Sequence, residues 1–412
     1  MIREPLRGPV SGNDAAVHRT PQRVAGLRAR QREGRVGLAG GAERGLAVRH
    51  AAAGAVDEGQ QLVCAGTVTR AGQAGVQRGL QRALGLRVLR IVDDTARLWR
   101  APEVAFAASE IGLDAFGHNI ENRFLLDALE ARAGELAALA RVEKVADAVE
   151  VEDGRVTVRC GGTMVSARLA IGAEGRRSLC RAAAGIDSRG HAYPQTALTF
   201  NLGHGREHRH TTTEFHTETG PFTLVPLPGR RSSLVFVVEP HEAPHLCALS
   251  EAELAAEIER RSHSILGKIA LEPGRGVFPL TTETATRFGA RRVALIGEAA
   301  HVVAPIGAQG LNLGLRDAAT IGELAVAAHR DGRDVGEAAE RYDRMRRADV
   351  TGRTLAVDLL NRSLLADFLP LQGARGLGLF LAQRIGPLRR ALMREGVSPM
   401  ASQPRLMRGE AL

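Results

Sequence analysis

A chain of 412 residues with 44% hydrophobic and 25% charged residues is long enough for two or three domains with a sizeable core, and its composition is soluble and globular. Its formal charge of +9 is local: residues 1–90 hold 15 Arg and 6 acidic residues, a difference of +9, so the rest of the chain is balanced. No apolar run approaches the roughly 18 residues of a membrane-spanning helix, and Cys64, Cys160, Cys180 and Cys247 lack zinc-site or disulfide spacing, which predicts a cytoplasmic location.

Residues 1–85 form an atypical Arg/Gly/Ala-rich segment, with no Phe, Trp or Tyr in the first 90 residues. Its arginines follow no helical or strand period and no aromatics interleave them, so no nucleic-acid partner is expected. It is also neither Ser-rich nor amphipathic, unlike a transit peptide.

The pattern changes near Leu84. Within Phe116–Arg132, Phe124, Leu125, Ala128 and Leu129 recur at helical spacing, with Asn122 and Arg123 at the start. Ala148–Val151, Val156–Val158 and Ser166–Leu169 then read as short strands around Asp153-Gly154 and Gly161-Gly162, a small β-meander. It leads into a strand, a glycine turn and a helix, with Gly172, Glu174, Gly175 and Ser178 in the turn.

The next block alternates with period two. Thr196–Leu202, Thr211–His216, Phe222–Leu227 and Ser232–Val238 predict an antiparallel sheet, followed by a helix at Glu251–Arg261 and a return strand at Val277–Leu280. His204, His208, His210 and His216 cluster here without cysteine or patterned carboxylate partners, so no metal is expected.

Val293–Ile296 is an apolar strand ended by Gly297, after which Glu298 offers a carboxylate at the strand's C-terminal edge, where open α/β sheets bind ligands. Pro305, Gly307 and Gly310 predict a turn that lets backbone approach a flat ligand. A helix starting at Leu311 and Asn312 would then point free N–H groups at that ligand, favouring negative charge such as a reduced flavin carries. His301 reads as a residue packed near this turn. Gly314–Ala328 and Val335–Leu360 read as long helices, and Leu364–Glu395 as a third, whose apolar face borders Arg389, Arg390 and Arg394 and suits an anionic membrane surface.

The 295–317 string resembles the second flavin motif of the class A FAD-dependent aromatic hydroxylases, the p-hydroxybenzoate hydroxylase type, and within them the ubiquinone-biosynthesis branch. Glu298 stands where that family usually has Asp, one methylene longer with the same acceptor chemistry. The 169–186 string resembles the family's other flavin and pyridine-nucleotide motif, with Glu174 again in place of Asp. The resemblance implies an α/β fold: a Rossmann-like FAD-binding domain from 86–190 and 276–345, an antiparallel substrate-domain sheet at 191–275, and a C-terminal helical region at 346–412. It implies FAD, NAD(P)H as co-substrate, and hydroxylation of an aromatic ring of a ubiquinone precursor by oxygen activated on the flavin. By the same resemblance Gly297 and Glu298 hold the ribityl chain; Gly310, Leu311 and Asn312 lie near the isoalloxazine; Arg123 lies beside the flavin; Gly172 and the 174–178 turn serve the pyrophosphate and nicotinamide path; and Pro305 stands beside the substrate as the catalytic-site residue. Peripheral membrane contact through the C-terminal helix, and assembly with itself or other ubiquinone-biosynthesis enzymes, belong to the same expectation.

A dinucleotide binder of this kind should open with an apolar strand, GxGxxG and a helix. Gly37-Leu-Ala-Gly-Gly-Ala-Glu-Arg-Gly45 has the wrong glycine spacing. The N-terminal βαβ unit is therefore read as absent or garbled: Arg/Gly/Ala-rich sequence without aromatics is what GC-rich coding DNA yields out of frame, and intrinsic disorder is the other reading of 1–85. The alternatives are a flavoprotein of the same fold with reductase-type chemistry, or an inactive product lacking the phosphate-binding motif.

Overall fold

A computed structural model describes residues 45–48, 60–64, 82–95, 100–304, 309–365, 378, 380–381, 384–397, 403–410 and 412. The period-two block becomes the largest sheet. Its strands run in the order His301–Val302, Gly276–Ala285, Ser188–His204, Arg231–Val238, Pro221–Leu227, Thr211–His216, Val88–Asp93 and Val104–Ala107, with Ile269–Leu271 also paired to the long 188–204 strand. Neighbours are antiparallel except for Thr211–His216 against Val88–Asp93, which is parallel. The two strands at 88–107 come from the stretch read as cofactor domain, so this sheet reaches beyond 191–275.

Because side chains alternate across a strand, the two faces of this sheet have different work. Leu198, Phe200, Leu202, Leu234 and Phe236 face the helices Glu242–Ala248 and Glu251–Arg261, burying Leu246, Leu254 and Ile258 with them. The second helix starts in a capping box in which Ser250 and Glu253 satisfy each other's backbone N–H groups. Ala197 and Val237, one residue out of phase, join Tyr193, Leu280 and Ala304 in a smaller apolar cluster. Tyr193 reaches it across a register shift between Ala192 and Thr196.

The cofactor side is built on a short parallel pair, Ala170–Gly172 beside Val293–Leu295, with Gly289–Ala290 antiparallel on the outer edge. Val293, Ala294 and Leu295 are all fully buried, as an apolar run covered on both faces must be. Their core contains Val156, Ile186, Phe288, Leu313, Ile321, Tyr342 and Val350, which brings in the helices Gln309–Arg330 and Ala338–Leu365. The meander at Ala148–Val151, Val156–Cys160 and Thr163–Ala167 forms as its turn signals predict.

Three boundaries differ from the sequence pattern. The helix expected from Leu311 starts at Gln309, so Gly310 lies in its first turn and not in the preceding loop. The stretch expected as one helix from Leu364 to Glu395 is interrupted at Ile385, after which a separate helix spans Gly386–Val397. Inside the segment 1–85, Gly45–Val48 pairs parallel to Leu139–Val142, and Gln60–Cys64 pairs antiparallel to Gly117–Glu121.

Candidate cofactor and active site

The two glycine turns meet because their strands are hydrogen-bonded neighbours. Gly172 is aligned with Leu295, and the Ile296 N–H donates to the Gly172 carbonyl at 2.9 Å, so both chains leave the sheet at the same C-terminal edge. No side chain fits at 172: a Cβ there would sit 2.7 Å from the Cys180 Cβ and 3.1 Å from Leu295.

The first turn closes on itself. Ser178 caps the helix Leu179–Ala183 by accepting from the Arg181 N–H, and it donates to Glu174 Oε1 at 2.6 Å. Glu174 Oε1 also accepts the Cys180 N–H at 2.8 Å. Burial beside this carboxylate pushes the Cys180 thiol well up from its ordinary value, leaving it protonated. Glu174 and Ser178, expected on the pyrophosphate path, are thus engaged in building the turn. Arg181 reaches across to the second turn and donates to the Ala299 carbonyl at 3.1 Å.

The second turn is held from outside. Gly297 has φ +56°, a left-handed conformation suited to glycine. Its N–H donates to Asp317 Oδ2 at 3.1 Å, and the same oxygen accepts from His301 Nε2 at 2.6 Å. Asp317 Oδ1 accepts from Arg346 Nε at 2.8 Å. Arg346 also pairs with Asp349, which receives Arg316 at 3.1 Å and Arg353 at 3.0 Å. Asp317 is fully buried and Arg346 nearly so. Burial alone would raise the Asp317 carboxyl, but the hydrogen bond from His301 and the Arg346 charge hold it below the usual range. Asp349 is similarly pushed up by burial and brought down by Arg346 and Arg316 to about 2. Tyr342 adds a tie, donating to the Leu295 carbonyl at 2.7 Å.

Glu298 projects outward from this frame, its side chain 61% exposed with Arg176 3.8 Å away. A Cβ at Gly175, Gly297 or Gly310 would meet nothing within 4 Å, so the edge presents open backbone. Asn312 is buried one turn into the helix, while Leu311 packs against the cluster of Ile120, Leu125 and Ala128. That packing brings the helix Asn122–Gly134 alongside. Arg123 pairs there with Glu121 at 2.9 Å and lies over the Phe124 ring, in a group that includes Arg231 and Glu272. Pro305 and Gly307 lie outside the described residues. So does Gly37–Gly45 apart from Gly45, and the described residues hold no group of side chains arranged for a metal.

An exposed acceptor, open glycine backbone and a helix start at one strand edge fit the ribityl and ring end of a dinucleotide flavin. Residues 42–354 match the FAD binding domain family. The chain therefore belongs to the FAD-dependent monooxygenases of the p-hydroxybenzoate hydroxylase type, and its cofactor is FAD.

Its relatives lie in the ubiquinone-hydroxylase branch. The chain is 39% identical over 304 residues to ubiquinone hydroxylase UbiL of Rhodospirillum rubrum, covering 72% of this chain and 71% of that one. It is 31% identical to the 3-demethoxyubiquinol 3-hydroxylase of Escherichia coli, covering 72% and 76%. The fold is shared with p-nitrophenol 4-monooxygenase PnpA of Pseudomonas putida at a TM-score of 0.69, with 15% identity and coverage of 90% and 93%. It is also shared with Klebsiella pneumoniae HpxO, solved with FAD and uric acid, at a TM-score of 0.63, with 19% identity and coverage of 81% and 87%.

The buried ions were the part that sequence reasoning passed over. A signal existed: Asp317 sits among Leu313, Thr320, Ile321 and Leu324 on the buried face of an amphipathic helix, where a lone acid requires a buried partner.

Proposed function

We propose that this chain hydroxylates the aromatic ring of a ubiquinone precursor with NAD(P)H and O2. The relatives named as ubiquinone and demethoxyubiquinol hydroxylases support this substrate class. The observation that carries the reading is the pair of glycine turns at one edge of paired parallel strands, with Glu298 free to accept hydroxyl donors.

When bound, FAD supplies the redox chemistry, taking hydride from the nicotinamide and activating oxygen. The chain's own residues bind and orient. Glu298 would hold the ribityl chain by accepting its hydroxyls, and the first N–H groups of the 309–330 helix, at Gly310, Leu311 and Asn312, would hold the ring system and favour its negative charge. The buried apolar cluster of Tyr193, Ala197, Val237 and Leu280 continues to Ala304, next in sequence to Pro305, and we place the substrate ring on this side of the sheet. Tyr193 is oriented there by donating to Asp358 at 2.6 Å.

A lipid-tailed precursor also needs access from a membrane. Ile385, Leu388 and Leu392 lie exposed along one side of the C-terminal helix region, with exposed Phe380 and Leu381 before them and exposed Arg384, Arg390 and Arg394 alongside. No helix among the described residues is long and apolar enough to cross a membrane, and this combination suits lying on an anionic surface.

The test begins with the visible spectrum of the purified chain after incubation with FAD. It continues with NAD(P)H oxidation and product mass using a short-tailed demethoxyubiquinol, and with co-sedimentation on anionic vesicles. Bound flavin and a product heavier by one oxygen are expected. A colourless protein that takes up no FAD would sink the enzymatic reading for this polypeptide.

A further inference from the structure

We infer that Asp317 is a positioning residue for the cofactor: its buried carboxylate fixes Gly297 and thereby aims Glu298. This rests on the FAD reading of that edge. The hydrogen bonds that reach the carboxylate from the described residues come from donors, among them the Gly297 N–H, His301 Nε2 and Arg346 Nε. The three donors come from the turn itself, from the segment that follows it, and from the 338–365 helix. A fully ionised carboxylate is the side chain that meets all three, because an amide would turn its NH2 against a donor.

The helix carrying Asp317 is seated on the same turn. Gly314 lies one helical turn before Asp317, and a Cβ at 314 would come within 3.4 Å of the Gly297 Cα. Contact from Gly314 and the hydrogen bond from Gly297 to Asp317 therefore fix both the position and the direction of the backbone from which Glu298 emerges. Among the described residues Glu298 makes a long contact to Arg176 alone, so its direction is set by its backbone more than by its own bonds.

A purely structural carboxylate of similar burial is available for comparison. Asp343 is 3% exposed and accepts the Phe288 N–H at 2.6 Å, tying the 338–365 helix to the core at Phe288 rather than at Gly297. If Asp317 were only another such tie, the two would behave alike.

The experiment compares Asp317→Asn with Asp343→Asn by thermal unfolding, FAD titration through flavin fluorescence, and hydrogen exchange of peptides spanning residues 293–304. Both variants are expected to melt earlier. Asp317→Asn is expected to weaken FAD about tenfold or more and to speed exchange at Gly297, while Asp343→Asn stays within about twofold of the parent in FAD affinity. Equal effects of the two variants on FAD, or unchanged exchange at Gly297 in Asp317→Asn, overturn the proposal. If Asp317→Asn does not fold, the parent protein decides: its Gly297 amide must exchange slowly beside exposed Glu298, and free exchange overturns the inference. Should the parent take up no FAD, the FAD reading fails on its own, while the exchange measurement still judges the clamp.

Discussion

The two glycine turns at the cofactor edge look alike in sequence, each a strand, a glycine, an acid and a helix, yet they are stabilised in opposite ways. The 172–178 turn is satisfied locally, Glu174 and Ser178 bonding to groups within six residues. The 297–301 turn relies on Asp317, 16 to 20 positions further along, and through it on Arg346, 29 positions beyond Asp317, in a network with almost no solvent. A locally capped turn is robust to distant change and spends its acid on itself. A turn held from outside leaves its own acid, Glu298, free for a ligand, at the cost of burying several charges.

The harshest way to break this comparison is to remove one buried ion. Arg346→Met should leave Asp317 and Asp349 without their shared partner and destabilise the protein by about 3–5 kcal/mol. Denaturant unfolding measures it, and hydrogen exchange should show the 297–301 turn loosened while the 172–184 segment keeps its protection. Equal loosening of both turns would end the distinction.

Acid should act on the same region. Asp349 is held at about 2, below the ordinary Asp value, so its contribution is fully present above about pH 3.9 and is lost as pH falls through about 2. Asp317, shifted the same way, adds to that loss. Stability measured across this window should fall less steeply in Asp349→Asn than in the parent. An unchanged slope would mean that the network does not carry the acid sensitivity.

Two smaller changes sharpen the contrast between distant and local support. Tyr342→Phe removes one buried hydrogen bond to the Leu295 carbonyl and should cost about 1–1.5 kcal/mol. Ser178→Ala removes a helix cap and should cost about 1 kcal/mol. The energies are similar, but exchange should rise around 293–297 in the first variant and only within 172–184 in the second.

What could be read beforehand divides along the same line. Period-two alternation gave the large sheet, and Asp153-Gly154 and Gly161-Gly162 gave the meander, because those signals lie within a few residues of what they control. Glycines and an acid after an apolar strand located both turns for the same reason. Sequence patterns could not show that Glu174 would be engaged in capping, since a free acid and a capping acid look identical until the Ser178 geometry is fixed. Nor could they pair Asp317 with Arg346, because two helices must first pack before those charges become neighbours.

The smallest stability effect should come from the residue placed closest to function. Glu298 is largely exposed and has no short-range bond among the described residues, so Glu298→Ala should change unfolding stability by no more than about 0.5 kcal/mol. FAD affinity should nevertheless fall about tenfold, since an acceptor for hydroxyl donors is lost at a site otherwise intact. The corresponding change in the first turn, Glu174→Ala, should do the reverse: it removes the acceptor of the Cys180 N–H and lowers stability by about 1 kcal/mol, with less effect on flavin. Measuring both variants by unfolding and by flavin titration places each acid on one of two axes. If Glu174 moved affinity more than Glu298 did, the roles assigned to the two turns would have to be exchanged.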